Sequence, residues 1–506
     1  MNLVQKAKWF NMKKPEIFFI ITWILSLLWR FYHGPYADLA VLFSGLCLFV
    51  AYLVFSKGLF GLSLKYPSDR YYEIFSGAIF SIVILFSIFS ISLWSDLFPY
   101  SIAGLGVFIL GWLPYHAYRF NKNPSNENLF LGIRGGGLVI IAFFVIFKFL
   151  TPYFYSDSTE PRVEKSMGLS EIEINRLNQV VDSFRQAEGI IGIAIGVHAK
   201  GDSFIAGFGH ETRGGNVPSS NSVFGIGSVT KPIVGSLFSL LEQEGRVYLE
   251  GEFEFGNAHL SERVSQITNR QLLSHTSGLP RMLPEYFSAL IKAPKNPYKF
   301  ISDEAIKDYL SEAKFSGNPL MKLEYSNLGY ALLAQSLTQL GGIPYNNGLG
   351  LERLFKDYVF QPLEMVNTSV FPNGLSLTGR YNPSGKEMPM WSTQNHHGAF
   401  AVNSTVNDLL IYLEAHMSYE EDLFHKGIKH TLIPLLDFED NESVGYGWQI
   451  NKKGEDLTYW HSGATFYSSS FVYFNPKADV SIVILSNTGV PVDGLAQILL
   501  REFLMK

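Results

Sequence analysis

Cysteine is almost missing from this chain: among 506 residues there is one, Cys47. A disulfide framework is excluded, and nothing C-terminal to that position can use a thiol nucleophile or a cysteine-held metal. Other absences narrow the chemistry further. The twelve histidines never fall in an H-E-x-x-H spacing, and neither a G-x-x-x-x-G-K-S/T loop nor a G-x-G-x-x-G fingerprint occurs. Nothing in the sequence therefore announces a zinc helix, a nucleotide or a dinucleotide, and no metal or cofactor is expected. Charge is sparse at 17% of residues, and a net charge of −5 gives no reason to expect nucleic acid.

What the first 150 residues have in place of charge is apolar length. Five runs, at 17–32, 39–56, 74–95, 97–118 and 129–151, are each, with their flanks, about long enough to cross a hydrocarbon core of about 30 Å at about 1.5 Å per residue. Lys6, Lys8, Lys13 and Lys14 precede the first run; Lys57, Lys65 and Arg70 follow the second; Arg119, Lys122 and Arg134 follow the fourth. The alternate loops are poorer in such residues. The positive-inside rule then sets the N-terminus in the cytoplasm and everything after the fifth crossing outside. The expected organisation is an all-α five-span bundle over 1–152, a polar linker over 153–168 and an extracytoplasmic domain over 169–506.

The outer domain is organised around Phe224-Gly225-Ile226-Gly227-Ser228-Val229-Thr230-Lys231-Pro232. A glycine-punctuated approach delivers Ser228 to the first turn of an apolar helix that Gly245 stops. Ser228 and Lys231 are three residues apart, so on a helix they share a face and the amine reaches the hydroxyl. An activated serine needs this: a base beside a hydroxyl that is inert at its own pKa, at a helix end that favours negative charge. A second copy of the spacing, Ser311 to Lys314, sits in a charged stretch and reads as a solvated helix face.

Around this element the pattern is mixed. Ser170 caps a helix striped with Ile174, Leu177, Val181 and Phe184; 189–197 and 203–208 read as strands turned at Lys200-Gly201-Asp202. Two more strands, 468–474 and 480–485, and a closing helix from Val492 come at the far end. Strands at both ends of a helical middle argue for an α+β domain whose early and late strands pair.

Three motifs in order carry a family resemblance: Ser228-Val229-Thr230-Lys231, Tyr325-Ser326-Asn327 and Trp460-His461-Ser462-Gly463-Ala464-Thr465. With Gln271–Pro280, Gln361–Met365 and Gly445-Tyr446-Gly447-Trp448 between them, the region from about Leu169 onward resembles the class C-like branch of the serine β-lactamase and penicillin-binding-protein superfamily, the peptidase S12 type. The resemblance implies an antiparallel sheet flanked by helices, with a helical domain beside it. It also implies an acyl-enzyme mechanism on an amide, peptide or ester.

In that setting Tyr325 and Asn327 are expected in a small loop before a helix over 329–340, Tyr325 as the proton shuttle, its phenol ionising more easily near two cations, and Asn327 to fix the lysine. The backbone N–H groups of Ser228 and Ala464 are the expected oxyanion donors. Gly463, Ser462, Thr465 and His397 are expected along the substrate cleft. His461 stands where many penicillin-recognising relatives have lysine, so the third motif offers no permanent cation. His275 reads as a loop-holding residue, and Tyr345-Asn346-Asn347 as a turn that copies the second motif by composition only. The partners expected are a small-molecule, peptide or lipid-linked substrate and the membrane itself. The alternative function is a membrane sensor or scaffold that binds cell-wall peptides or β-lactams with little turnover.

Overall fold

The computed structural model describes residues 159–256, 259–312, 323–392, 395–439 and 441–501. All five expected spans lie outside the described residues. Among those described, no helix is long and apolar enough to cross a membrane.

Nine strands form one sheet, every neighbouring pair antiparallel. In chain order they are β1 (Arg162–Ser166), β2 (Gly192–Ala199) and β3 (Asp202–Gly209), then β6 (Leu436–Glu439), β7 (Glu442–Val444), β8 (Gln449–Lys453), β9 (Asp456–Ala464), β10 (Ser469–Asn475) and β11 (Val480–Ser486). The spatial order is β1-β3-β2-β11-β10-β9-β8-β7-β6. Two-residue strands β4 (Phe224–Gly225) and β5 (Asn403–Ser404) pair separately. The early hairpin thus docks on the late one through β2 and β11, as the strands at both ends of the domain suggested. β11 is buried along its whole length because both of its faces are covered.

Alternation along the strands builds two cores. Ile193, Ile195, Val197, Phe471, Tyr473, Ile482 and Ile484 face helix α1 (Glu171–Glu188) and a closing helix at Asp493–Leu499. Ala194, Val472, Phe474, Val483 and Leu485 face a larger helical layer. That layer contains α2 (Thr230–Gln243), α3 (Asn327–Leu340) and α4 (Val406–Met417). α1 begins with a capping box, Ser170 with Glu173, and ends at Gly189 in the left-handed region. α4 lies so close to the sheet that a Cβ on Gly196 would come within 2.4 Å of Val406 Cγ1.

Two expectations need correction. Residues 162–166, read as linker, are the edge strand β1, pairing with β3 between Phe204 and Gly207. Its Arg-Val-Glu-Lys-Ser sequence is exposed throughout, the charged composition by which sheet edges avoid further pairing. Asn327, read as part of a loop, is the first residue of α3, with Ser326 as its N-cap accepting from the Gly329 N–H at 2.8 Å.

Burial of histidine makes this domain sensitive to acid. His416 is packed among Tyr412, Trp448 and Phe474, and burial drives its pKa down to about 4, against a small raising effect of its bond to the Tyr412 carbonyl. The unfolded chain protonates this ring near pH 6.5 and the folded chain only near 4. Stability from this group is therefore intact above about 6.5 and declines as pH falls, by about 3 kcal/mol once both forms are protonated. Melting temperatures measured between pH 7.5 and 4 should fall steadily below pH 6.5, and His416→Phe should flatten that slope; a slope unchanged in the variant would refute the assignment.

Candidate active site

Ser228 lies in a single 3-10 turn, Gly227–Val229, immediately before α2. The turn is possible because Gly227 holds φ at 52°, and a Cβ there would sit 2.8 Å from the Ala464 nitrogen. β9 approaches this closely because of register. β8 pairs with β9 only as far as Trp460, while β10 follows β9 to Ala464, so residues 461–464 are left without β8 on one side. Ser470, paired with Gly463, fastens the approach by donating its hydroxyl to the Ile226 carbonyl at 2.7 Å. The backbone nitrogens of Ser228 and Ala464 are thereby set beside one another, the arrangement an oxyanion requires.

Lys231 is fully buried. Its Nζ donates to Ser228 Oγ at 3.1 Å, to Asn327 Oδ1 at 2.9 Å and to the Ala399 carbonyl at 2.8 Å. Burial, with Arg281 adding repulsion, holds its pKa well below the ordinary lysine value. The free amine is thus accessible as a base at hydrogen-bond distance from the nucleophile. Gly447, at φ 87°, is pressed against the backbone of Lys231 and Pro232 with no room for a side chain. The Gly445–Trp448 segment so fixes the first turn of α2.

Tyr325 is hydrogen-bonded to Ser228, and Lys231 Nζ lies 4.8 Å from its ring centre. Its pKa is pushed up to about 12: burial dominates, and the Ser228 bond and Arg281 only partly oppose it. The expected easy ionisation is therefore corrected. Arg281 acts in the expected direction, but loss of water around the ring outweighs it, so the phenol is protonated at neutral pH and serves as a proton donor.

The second motif is held from below by His275, whose backbone adopts φ 59°. The Ser326 N–H donates to His275 Nδ1 at 3.0 Å, which puts the ring proton on Nε2. The His275 carbonyl accepts from Glu324 N–H, and its ring lies 4.3 Å from that of Tyr325. This matches the loop-holding reading. Ser311 Oγ donates to the Asp308 carbonyl at the end of the helix Asp303–Glu312, while Lys314 lies outside the described residues.

His461 is buried with Nδ1 2.6 Å from the Ser462 carbonyl, so Nδ1 carries the proton. Burial, then Lys231, lowers its pKa to about 3 against the raising effect of that bond, and Nε2 has no partner among the described residues. Ser462 pairs with Phe471 and falls on the opposite face of β9 from His461. Thr465 Oγ1 is engaged in the turn after β9, accepting from the N–H groups of Tyr467 and Ser468. His397 is bound to the Tyr345 hydroxyl at 2.8 Å. With Thr465, Phe371, Trp391 and Tyr467 it lines a cavity of about 510 Å³. Tyr345 and the left-handed Asn346 and Asn347 form a turn, as expected.

Ser228, Lys231, Tyr325, Asn327 and His461 are thus brought together, with Gly463 and Ala464 beside the nucleophile, whereas Thr465 and His397 belong to the adjoining cavity. The sequence reading missed two participants. The Ala399 acceptor is a backbone carbonyl and leaves no signature in residue type. Arg281, whose guanidinium carbon lies 5.2 Å from the Tyr325 ring centre, directly follows the Ser-Gly-Leu-Pro turn that had been singled out.

A helix-borne serine, a buried amine as its base, a protonated tyrosine beside both and paired backbone donors make this protein a serine hydrolase. The chain belongs to the Beta-lactamase family, whose profile matches residues 177–503. It is 25% identical over 290 residues to the D-alanyl-D-alanine-carboxypeptidase/endopeptidase AmpH of Escherichia coli (strain K12), covering 54% of this chain and 72% of that one. It is 26% identical over 337 residues to Protein flp of Staphylococcus aureus (strain MRSA252), 62% of each. The solved beta-lactamase/D-alanine carboxypeptidase from Pseudomonas syringae shares the fold, with a TM-score of 0.57 at 17% identity over 65% of this chain and 97% of that one.

If the Tyr325 proton is the one delivered to the leaving group, Tyr325→Phe keeps the ring packing on His275 yet lowers acylation by about 10²–10⁴-fold. Single-turnover kinetics with an amide substrate measure this, and a variant within threefold of the parent would move the role to another group.

Proposed function

We propose that the chain is a membrane-anchored, extracytoplasmic serine peptidase that works through an acyl-enzyme on short peptides ending in D-amino acids, with simple esters as further substrates. The observation that carries this reading is the Lys231 amine, buried and 3.1 Å from Ser228 Oγ. In acylation Lys231 takes the hydroxyl proton as Oγ attacks the carbonyl carbon, and the oxyanion forms against the Ser228 and Ala464 N–H groups. Tyr325 gives its proton to the departing amine as the C–N bond breaks, and recovers one from Lys231. Water then attacks the ester along the reverse path, and Ser228 regains its proton.

The choice of peptide is supported by the AmpH relative, a D-alanyl-D-alanine-carboxypeptidase/endopeptidase, and by a neutral His461 at the third motif. A β-lactam carboxylate meets no fixed charge at that motif. The membrane anchor and outward location are supported by the apolar runs and the Lys and Arg asymmetry of the first 150 residues.

Two measurements test the reading. A fluorophosphonate should label Ser228 alone; Ser228→Ala should abolish labelling and turnover, and Ser311→Ala should leave both unchanged. An adduct mapped elsewhere would overturn the catalytic assignment, and labelling without turnover on a broad peptide and ester panel would favour the sensor. For topology, in a Cys47→Ala background, a cysteine at Ser158 should react with an impermeant maleimide on intact cells and one at Ser63 should not. Reversed labelling would overturn the orientation.

A further inference from the structure

The site as described has a nucleophile, a base, an acid and an oxyanion pocket, but its third motif lacks a cation for a substrate carboxylate. His461 cannot supply one without cost, since its Nδ1–H is committed to the Ser462 carbonyl and its ring is enclosed. Lys231 cannot either, because its amine is committed to Ser228, Asn327 and Ala399 and must be deprotonated to act. Among the described residues, a permanent charge close to the reacting groups comes from a different element.

Arg281 follows Pro280 at the end of the His275 loop, and its side chain is exposed. Its guanidinium carbon lies 5.2 Å from the Tyr325 ring centre, within cation–π distance. The loop beneath it is pinned to the second motif at two points. The Pro280 carbonyl accepts from Ser326 Oγ at 2.8 Å, and the Arg281 carbonyl accepts from the Asn327 N–H at 3.2 Å. Among the described residues no carboxylate is paired with Arg281. A fixed backbone, a planar side chain stacked by the proton donor and an exposed, unneutralised fork of N–H groups together suit a bidentate carboxylate.

We propose that Arg281 is the specificity residue that receives the free carboxylate on the leaving-group side of the substrate, taking the part that a lysine in the third motif would otherwise play. The proposal rests on the peptidase reading above. Tyr325 protonates the departing amine, and in a C-terminal amino acid the carboxylate is one carbon from that nitrogen. A guanidinium over the Tyr325 ring is within reach of a carboxylate so placed. Substrates that end in an amide or methyl ester lose the contact but keep the reacting bond.

The test compares a peptide ending in D-alanyl-D-alanine with its C-terminal amide, using the full-length protein in detergent. The parent should favour the free acid, and Arg281→Gln should lower kcat/KM for the acid by about 10–100-fold, the range for a hydrogen bond to a charged group. The same variant should lose markedly less on the amide and on a neutral p-nitrophenyl ester, so that the acid-to-amide ratio of kcat/KM falls by about tenfold or more, and Arg281→Lys should restore part of the preference. An unchanged acid-to-amide ratio in Arg281→Gln would overturn the proposal. Equal losses on all three substrates with a shifted alkaline limb of the pH profile would also overturn it, assigning Arg281 to the tuning of Tyr325. If the parent cleaves esters that depend on Ser228 but neither peptide, the peptide reading fails instead, and the two failures are thereby distinguished.

Discussion

The structure depends on keeping one amine dry. Lys231 is enclosed by α2, the start of α3 and the Ala399 segment, and burying a cation without a counter-ion is costly. That cost is what makes the residue a base, since the protein relieves it by lowering the proton affinity of the amine. The three groups around Nζ are a hydroxyl, an amide oxygen and a peptide carbonyl. A carboxylate in any of those places would stabilise the ammonium form and disable it.

The same preference for uncharged neighbours extends through the site. His275 and His461 are both enclosed and both held neutral, chiefly by burial and then by the field of Lys231. Their tautomers are opposite: His275 accepts at Nδ1 and His461 donates there. One ring therefore supports the second motif through its lone pair, and the other presents its free lone pair at the third. Local wiring, not the residue type, separates the two roles.

The parts legible in the sequence were those set by local chemistry. Ser228 and Lys231 share a helix face by spacing alone, and the hairpin of β2 and β3 follows from alternation around Lys200-Gly201. The proton affinity of Tyr325 was not legible, because its direction depends on how many other segments close over the ring. Ala399 and Arg281 were missed for different reasons, one acting through its backbone and the other lying in a loop held against the start of α3 by contacts distant in sequence. β1 was read as linker because an exposed edge strand and a charged tether have the same composition.

Pairing the early hairpin with the last strands has a consequence in time. Ile226, beside the nucleophile, is fastened to Ser470, 244 residues later, and β2 finds its second neighbour, after β3, in β11. During synthesis, therefore, Ser228 and Lys231 emerge before the strand that brings the Ala464 donor, and the oxyanion pocket is complete only once β9 and β10 have been made and paired.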